Sequence, residues 1–299
     1  MILGAASVFL SILSLLIIGL GSLKSFLYRL MCALIISIII LYRGTEFWIF
    51  FVHIVLDKLI IYWCIVLVVL LPIPFLASSN THSESKTVLW RKFFHFIVLV
   101  LFGPLLVSDE ERHVHEPLIA LAGIMVLWLF MILEVFRLTG RPSRKLAGFL
   151  NHVMRPLLDK KDKGSRIVTS HMELLFAIVF PVWLAQVVGG IFADRAYVLS
   201  GLLTVGIGDS AAALGGICLS KSPHKLPWNS NRSTKSVEGL LSFVAAINLA
   251  LWVIGAWDTI SAAASLLTAI SEAYIPKYDN AALPLVYSFT RMILESISR

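Results

Sequence analysis

From Leu202 to Gly239 the chain reads LLTVGIGDSAAALGGICLSKSPHKLPWNSNRSTKSVEG. An apolar run with small residues and a single carboxylate, Asp209, opens into a polar, basic loop, and an apolar run resumes after Glu238. An ionisable side chain at membrane depth is costly and is by default a candidate for function. The stretch therefore predicts two membrane helices joined by a loop, with Asp209 as a candidate functional residue.

The composition of the whole chain agrees with this pattern. Of its 299 residues 58% are hydrophobic and 14% are charged, and its mean hydropathy is +0.88. These values exclude an ordinary soluble domain and predict an all-α fold, a polytopic integral membrane helical bundle. We expect nine or ten transmembrane helices, from the apolar segments 1–20, 26–42, 59–76, 96–107, 117–135, 171–191, 197–219, 237–256, 259–275 and 281–297.

The distribution of charge orients these helices. The formal net charge is +7, and nine basic residues stand against two acids between Arg137 and Ser170. The loop 220–234 carries only basic charge. Because short basic loops face the cytoplasm, we expect both loops on the cytoplasmic side. All three cysteines lie in apolar segments, which predicts packing residues and neither disulfides nor a zinc site; they are Cys32, Cys64 and Cys218.

Small residues surround Asp209 and leave the predicted helix almost without side chains. Another backbone or a ligand is able to approach such a helix closely. The alternative is ordinary small-residue packing, with the carboxylate hydrogen-bonded to a neighbouring helix. The small residues concerned are Gly206, Gly208, Ala212, Ala213, Gly215 and Gly216.

The loop and its far end supply groups that bind phosphate. Lys235 and Glu238 are three residues apart, so on a helix they share a face. Two acids and a base that bracket a basic loop fit metal-assisted phosphoryl transfer, in which magnesium is held by carboxylates and substrate phosphates. A plain positive-inside loop is the alternative. The sequence has neither a P-loop nor a complete dinucleotide fingerprint.

These motifs together resemble those of the polyprenol kinases, which include the dolichol kinases and have phytol kinases and CDP-diacylglycerol synthases as more distant relatives. The specific matches are Asp209-x-x-Ala212-x-x-x-Gly216, Leu226-Pro227-Trp228-Asn229 and Lys235-x-x-Glu238-Gly239. Further matches are Arg91-Lys92-x-x-His95, Leu158-Asp159-x-x-Asp162-x-Gly164 and Glu272-Ala273-Tyr274. The family usually has more spans before the matched region than segment 1–42 provides, and serine where this chain has Lys163.

The resemblance implies a multi-pass enzyme of the endoplasmic-reticulum membrane with its active site facing the cytoplasm. Such an enzyme transfers the γ-phosphate of CTP to the terminal hydroxyl of dolichol or another polyprenol, giving dolichyl phosphate for protein N-glycosylation precursors. It implies CTP as phosphate donor, Mg²⁺ as cofactor and no nucleic-acid partner. The corresponding division is N-terminal transmembrane helices at 1–76 and a catalytic membrane domain at 77–299, with the CTP-binding region at about 206–239.

The resemblance also implies roles for individual residues. Asp209 and Glu238 would bind the metal, and Lys235 would hold the phosphates. His95, or a carboxylate that does not hold the metal, would take the alcohol proton. The predicted nucleotide contacts are Gly208, Asp209, Ser210, Ala212, Gly215, Gly216, Lys225, Asn229, Arg232, Lys235, Ser236 and Gly239.

Other interpretations remain open at this point. For Arg91, Lys92 and His95, an interfacial anchor is the alternative to a phosphate contact. Glu134 is predicted to pair with Arg137 at a helix end. For the whole protein, the alternatives are a related CTP-using lipid enzyme, of the phytol kinase or CDP-diacylglycerol synthase type, and a cation-coupled transporter that uses the same two carboxylates.

Overall fold

The structure, a computed structural model, describes residues 58–73, 84–140, 143–154, 168–219, 235–275 and 279–298. Every regular element in these ranges is a helix, and they contain no strand. The all-α prediction is therefore confirmed for the described residues. The chain divides into two contact units, Met1–Val68 and Val69–Arg299. The candidate site described below lies entirely in the second unit.

The described residues form ten α-helices, one 3₁₀ turn and one π-helix. The α-helices are α1 (Lys58–Leu70), α2 (Glu84–Val107), α3 (Asp109–Thr139), α4 (Arg144–Met154), α5 (Ser170–Val188), α6 (Arg195–Val198), α7 (Asp209–Cys218), α8 (Val237–Val253), α9 (Thr259–Tyr274) and α10 (Asp279–Ser298). The 3₁₀ turn is Gly190–Ala193 and the π-helix is Leu202–Gly208.

Two segments in the described ranges are long and apolar enough to cross a membrane. They are His115–Thr139, within α3, and Ser170–Val188, which is α5. Shorter apolar helices include Leu202–Cys218 and Val237–Val253. The number of nine or ten spans therefore stays a prediction, and the predicted spans 1–20 and 26–42 lie outside the described residues.

Three expectations from the sequence are wrong. Residues 109–116, which the apolar segments 96–107 and 117–135 leave as a connection between two predicted spans, form the first two turns of α3, where acidic residues favour a helix start because they complement its dipole. The basic segment after Arg137, expected as a loop, contains α4. Cys64 and Cys218 are exposed and unbonded, so they do not pack inside the protein. Cys32 lies outside the described residues.

Close backbone approach holds the helices around the site. A Cβ added at Gly201 would lie 2.0 Å from the carbonyl oxygen of Ala177 in α5, and one at Gly239 would lie 2.9 Å from that of Ala212. A Cβ at Gly215 would meet the Ser242 hydroxyl oxygen at 2.0 Å. The small residues of α7 and α8 therefore bring the two helices together, as the packing alternative predicts.

An ionic cluster ties three segments together at the end of α8 farthest from Lys235. Arg291 of α10 is only 7% exposed. Its guanidinium lies 2.9 Å from a carboxylate oxygen of Asp258, 2.8 Å from one of Glu295 and 3.5 Å from one of Asp194. Asp258 also caps α9, because its carboxylate accepts a 2.6 Å hydrogen bond from the Ser261 amide.

The pKa of Asp258 reflects these contacts. Partial burial alone would raise the pKa of this carboxyl, but the Ser261 amide and the Arg291 guanidinium stabilise its charged form more strongly and hold the pKa below its ordinary value of 3.8. The ion pair and the cap therefore both require the ionised carboxylate.

Candidate functional site

Asp209 is the first residue of α7 and directly follows the π-helix. Its backbone amide bonds to the carbonyl of Thr204, five residues earlier, as π geometry requires. Such wide turns occur often at functional sites because they displace the residues that follow. Asp209 is only 6% exposed. The structure thus makes it a buried carboxylate within an apolar segment, which is what the sequence predicts.

Two basic side chains of α2 meet the Asp209 carboxylate. The ammonium of Lys92 donates a hydrogen bond to Asp209 Oδ2. His95 Nδ1 lies 3.3 Å from the same oxygen and 3.0 Å from the carbonyl oxygen of Val205. Lys92 and His95 are three residues apart and so lie on one face of α2. Because His95 is buried here, the alternative of an interfacial anchor does not describe it.

The surroundings of His95 fix its tautomer. Both oxygens near Nδ1, the Val205 carbonyl and the Asp209 carboxylate, are hydrogen-bond acceptors. A ring nitrogen that faces two acceptors carries the proton. In the neutral ring the basic lone pair is therefore on Nε2, and this is the atom able to accept a further proton.

A second ion pair lies beside the first. Lys235 pairs with Glu272, in the last turn of α9. Glu272 is only 4% exposed. Lys235 also interacts electrostatically with Asp209. The two ion pairs therefore form one site, to which α2, α7, α9 and Lys235, two residues before α8, contribute.

The predicted helical pairing of Lys235 with Glu238 is wrong. The helix begins only at Val237, and Ser236 is its N-cap, with a side-chain oxygen that accepts a 3.2 Å hydrogen bond from the Gly239 amide. Lys235 therefore precedes the helix and reaches across to α9. Glu238 is in the first turn of α8 and is half-buried.

The predicted nucleotide contacts on α7 and α8 have mixed surroundings. A Cβ added at Gly208 would lie 2.8 Å from the Phe243 ring, and one added at Gly216 would lie 3.3 Å from the Ser236 hydroxyl oxygen. These faces of the two glycines are therefore filled by α8. Ser210 differs, because its hydroxyl oxygen is buried and makes no hydrogen bond to any group that the structure describes. A ligand or water beside Asp209 would satisfy it.

Several predicted residues lie outside the described residues: Lys225, Asn229, Arg232, Asp159 and Asp162. Conversely, the structure brings Lys92, predicted only as a possible phosphate contact, and Glu272, predicted only as part of a motif, into the site. A signal for each is present in the sequence. Lys92 is three residues before His95, and Glu272 is an acid within an apolar segment, as Asp209 is.

The predicted Glu134–Arg137 pair is confirmed. Two guanidinium nitrogens of Arg137 donate to the Glu134 carboxylate, at 2.7 and 2.6 Å. The same carboxylate accepts a 2.7 Å hydrogen bond from the Val168 amide. The pair therefore connects the end of α3 with the residues just before α5, and its role is structural.

The donor chemistry of the site is compatible with magnesium. Mg²⁺ is usually held by one or two carboxylates together with substrate phosphates and water. Asp209, with Glu238 or Glu272, supplies oxygen donors of this kind, and the Ser210 hydroxyl lies next to the first of them. Among the described residues no group of three or more His, Cys, Asp or Glu side chains is arranged to hold a metal. Bound phosphate would thus have to complete the coordination.

Fold and site together define a class of protein. The described part is all-helical, it includes helices apolar enough to cross a membrane, and it buries the Asp209 and Glu272 carboxylates, each paired with a lysine, together with one histidine. Burying so many charges is costly unless they are paired or used. These features define a helical protein that has segments long and apolar enough to cross a membrane and that carries an ionic site.

Comparisons with known proteins narrow this class. The chain is 28% identical to the bovine (Bos taurus) dolichol kinase over 94% of its own length and 52% of that protein. It is 28% identical to dolichol kinase EVAN of Arabidopsis thaliana, over 77% of the chain and 39% of the relative. With dolichol kinase sec59 of Schizosaccharomyces pombe the identity is 27%, over 76% of the chain and 45% of the relative.

The chain is thus similar in sequence to these dolichol kinases, and its resemblance to the polyprenol kinases is confirmed. It spans about half the length of the bovine relative and less of the other two. No family profile matches the chain. No solved structure matches it either.

Proposed function

We propose that this chain carries the catalytic centre of a CTP-dependent dolichol kinase. The reaction transfers the γ-phosphate of CTP to the terminal hydroxyl of dolichol or a related polyprenol, giving dolichyl phosphate. One observation carries the proposal. The motif residues that resemble the polyprenol kinases converge at one site, with Lys92 bonded to Asp209 across 117 residues of sequence.

The charges of the site suit a triphosphate. In the described structure two lysines, Lys92 and Lys235, are neutralised by Asp209 and Glu272. When a triphosphate enters, its oxygens compete for the lysines and release the carboxylates. Asp209, with Glu238 or Glu272, would hold a magnesium ion, which would supply neutralisation of the charge that develops during transfer. Lys92 and Lys235 then hold and orient the phosphates.

His95 is placed to handle the proton of the alcohol. Its Nδ1–H is fixed by the Val205 carbonyl and by Asp209, so Nε2 is the basic atom. An aliphatic alcohol is a poor nucleophile, and in phosphoryl transfer, alignment and charge neutralisation contribute most of the acceleration. We therefore assign His95 a secondary role as proton acceptor, and Asp209, Lys92 and Lys235 the main electrostatic role.

The polyprenol substrate requires a membrane location. A long isoprenoid does not leave the lipid phase, so its hydroxyl must reach the γ-phosphate from within the bilayer. We propose a multi-pass protein of the endoplasmic-reticulum membrane, with nine or ten spans and the site open to the cytoplasm. The two described segments apolar enough to cross a membrane and the basic segments at 137–170 and 220–234 support this arrangement.

The test is a transfer assay with the purified full chain, Mg²⁺ and dolichol in detergent or liposomes. Two parallel reactions contain CTP or ATP labelled in the γ-phosphate. We expect labelled lipid phosphate with CTP and much less with ATP. Transfer from ATP alone would contradict the assignment of CTP, and absence of labelled lipid with either nucleotide would contradict the kinase.

A third reaction, with CTP labelled in the α-phosphate and a phosphate-bearing lipid as acceptor, separates the alternatives by their products. A cytidylyltransferase would join the CMP part of CTP to the lipid phosphate and release pyrophosphate, so the lipid would carry the α-label and not the γ-label. A cation-coupled transporter would give neither product. It would instead show saturable, cation-dependent solute uptake into proteoliposomes.

A further inference from the structure

α4 (Arg144–Met154) lies between the two segments that are apolar enough to cross a membrane. His115–Thr139 ends five residues before it, and Ser170–Val188 follows it. One side of α4 is fixed to α3, because the Arg137 guanidinium donates a 3.1 Å hydrogen bond to the Asn151 side-chain oxygen and Ala147 is only 7% exposed. α4 is therefore held beside the end of a candidate span.

The remaining surface of α4 has an apolar and a basic side. Phe149 is 62% exposed, and the half-buried Leu146 and Leu150 lie three residues before it and one after it, on the same apolar side. Arg144 is exposed on the opposite side, and the exposed Lys145 and His152, four residues before and three residues after Phe149, border the apolar side. A short helix with a large aromatic residue on one side and basic residues on the other is typical of helices that lie in the plane of a membrane interface.

The charge around α4 identifies the kind of lipid. Nine basic residues stand against two acids between Arg137 and Ser170. Basic segments next to a membrane are attracted to anionic headgroups. On the membrane location proposed above, acyl chains surround the end of α3 that adjoins α4. A protein partner that covered Phe149 would have to bind among those chains.

We propose that α4 is an interfacial helix that binds anionic phospholipid, with Phe149 among the acyl chains and Arg144 and Lys145 at the headgroups. The inference rests on the membrane location in the proposed function but not on the reaction itself. It gives α4 the task of fixing the depth at which the end of α3 meets the bilayer.

The test measures the depth of spin labels in liposomes by their collisions with oxygen and with a water-soluble nickel chelate. The full chain carries serine at its three cysteine positions and a single new cysteine as Phe149→Cys, His152→Cys or Met125→Cys. Met125 is 58% exposed within the candidate span of α3 and serves as the lipid-facing control. We expect the label at position 149 to resemble that at 125, and the label at 152 to be accessible to the nickel chelate.

Other outcomes would overturn the inference in distinguishable ways. A label at 149 that is as accessible to nickel as the label at 152 would place α4 in water. A label at 149 that is shielded from both reagents would indicate a protein partner or a second copy of the chain. If the label at 125 is accessible to nickel, the membrane location itself fails, and the inference fails with it. Lipid phosphorylation is not needed for any of these results.

A second comparison tests the headgroup contact. Adding phosphatidylserine to phosphatidylcholine liposomes should shift the label at 149 deeper, and high salt should reverse the shift because it screens the attraction. The double variant Arg144→Gln/Lys145→Gln should lose this response. If it responds as strongly as the parent, Arg144 and Lys145 do not bind the anionic headgroup.

Discussion

At the scale of single residues, the Lys92–Asp209 contact is the central feature of the site. Two opposite charges meet in one partly buried hydrogen bond. The cost of removing both charges from water offsets much of their attraction, so the net contribution of such a pair to stability is small. Removing one partner, however, leaves an uncompensated charge. The pair is therefore weak evidence for a stabilising role and stronger evidence for a functional one.

This asymmetry gives a prediction for stability. Lys92→Met should lower the free energy of unfolding by about 3–5 kcal/mol, because Asp209 would then be a buried carboxylate that has lost its main cationic partner. The double variant Lys92→Met/Asp209→Asn should recover most of that loss, since neither charge remains. Thermal unfolding in detergent, at matched protein concentration, measures both values.

Measuring phosphoryl transfer in the same two variants distinguishes a functional role of the Lys92–Asp209 pair from a stabilising one. Both should lack phosphoryl transfer, although the double variant is stable. A double variant that is as unstable as Lys92→Met, or one that retains transfer, would contradict the roles given to the pair.

The residues of the site were predictable to different degrees from the sequence. Asp209 stands out because a carboxylate among glycines and alanines in an apolar run has few structural explanations. Lys92 and Glu272 belong to matched motifs, but no sequence pattern shows that they meet Asp209 and Lys235, because those contacts depend on how distant helices pack. The position of Lys235 relative to the helix depended on the cap at Ser236, which the spacing argument did not consider.

At the scale of helices, glycines decide which elements approach the site. Gly201 precedes the π-helix and lies against the backbone of α5. This contact fixes the segment that carries Asp209. The sequence predicts the close packing from the small residues, but it does not predict the π-helix, because π geometry depends on tertiary packing and not on local propensity.

Gly201→Ala should therefore destabilise the protein. Its Cβ would meet the Ala177 carbonyl oxygen at 2.0 Å, and a backbone atom cannot move aside as a flexible side chain would. We expect a loss of about 1–3 kcal/mol, as for overpacking. Gly103→Ala in α2 is the matched control, because nothing lies within 4 Å of its added Cβ.

In the control, alanine should be neutral or stabilising by up to about 1 kcal/mol, since glycine is the weaker helix former. Chemical denaturation of both variants in the same detergent makes the comparison. Equal stability of Gly201→Ala and Gly103→Ala would show that the α5 contact is not as close as the structure has it.

The start of α9 gives a prediction for pH. Burial alone would raise the pKa of Asp258, but the Ser261 amide and the Arg291 guanidinium outweigh burial and hold this pKa below its ordinary value of 3.8. A carboxyl whose pKa is lowered by folding stabilises the folded state above its unfolded pKa, and this contribution is lost as the pH falls through the folded pKa. The wild-type protein should thus lose part of its stability below about pH 4.

Asp258→Asn isolates this component, because asparagine cannot titrate. Its thermal stability should be lower than that of the wild type at neutral pH, and the difference should shrink as the pH falls below about 4. A difference that stays constant from neutral pH to pH 3 would show that ionisation of Asp258 contributes nothing.

At the scale of the whole second unit, charge is concentrated at two ends. One end, which we call the loop side, contains the end of α7 and the residues just before α8. The other end contains the Arg291 cluster and the turn at 254–258. α8, with 17 residues, connects the two, and at about 1.5 Å per residue it approaches the thickness of a hydrocarbon core. The packing of α7 on α8 sets Asp209 about two helical turns below the loop side.

This separation predicts two-sided labelling. In sealed vesicles, single cysteines introduced as Leu219→Cys or Trp257→Cys, both at exposed positions, into the chain with serine at its three cysteine positions should react with a membrane-impermeant maleimide from opposite sides. Permeabilised vesicles serve as the control in which both react. Reaction of both residues from one side would contradict the transmembrane arrangement.

At this scale the sequence predicts those features of the molecule that depend on local signals. Apolar segments and basic loops are local, and they gave the helical class and a proposed orientation. The helix α4 within the basic segment was missed because abundant charge indicated a loop, although apolar residues recur there at helical spacing. The arrangement of the first 57 residues lies outside the described residues.

The most direct measurement is the rate of labelled dolichyl phosphate formation from γ-labelled CTP by the wild-type chain and by Asp209→Asn and Lys235→Ala. The account predicts transfer by the wild type and a loss of at least roughly a hundredfold in each variant, as for other removed electrostatic groups. Lys58→Ala, at an exposed position in the first contact unit, should remain active. A folded wild-type chain without transfer, or an Asp209→Asn variant with near-normal transfer, would contradict the account.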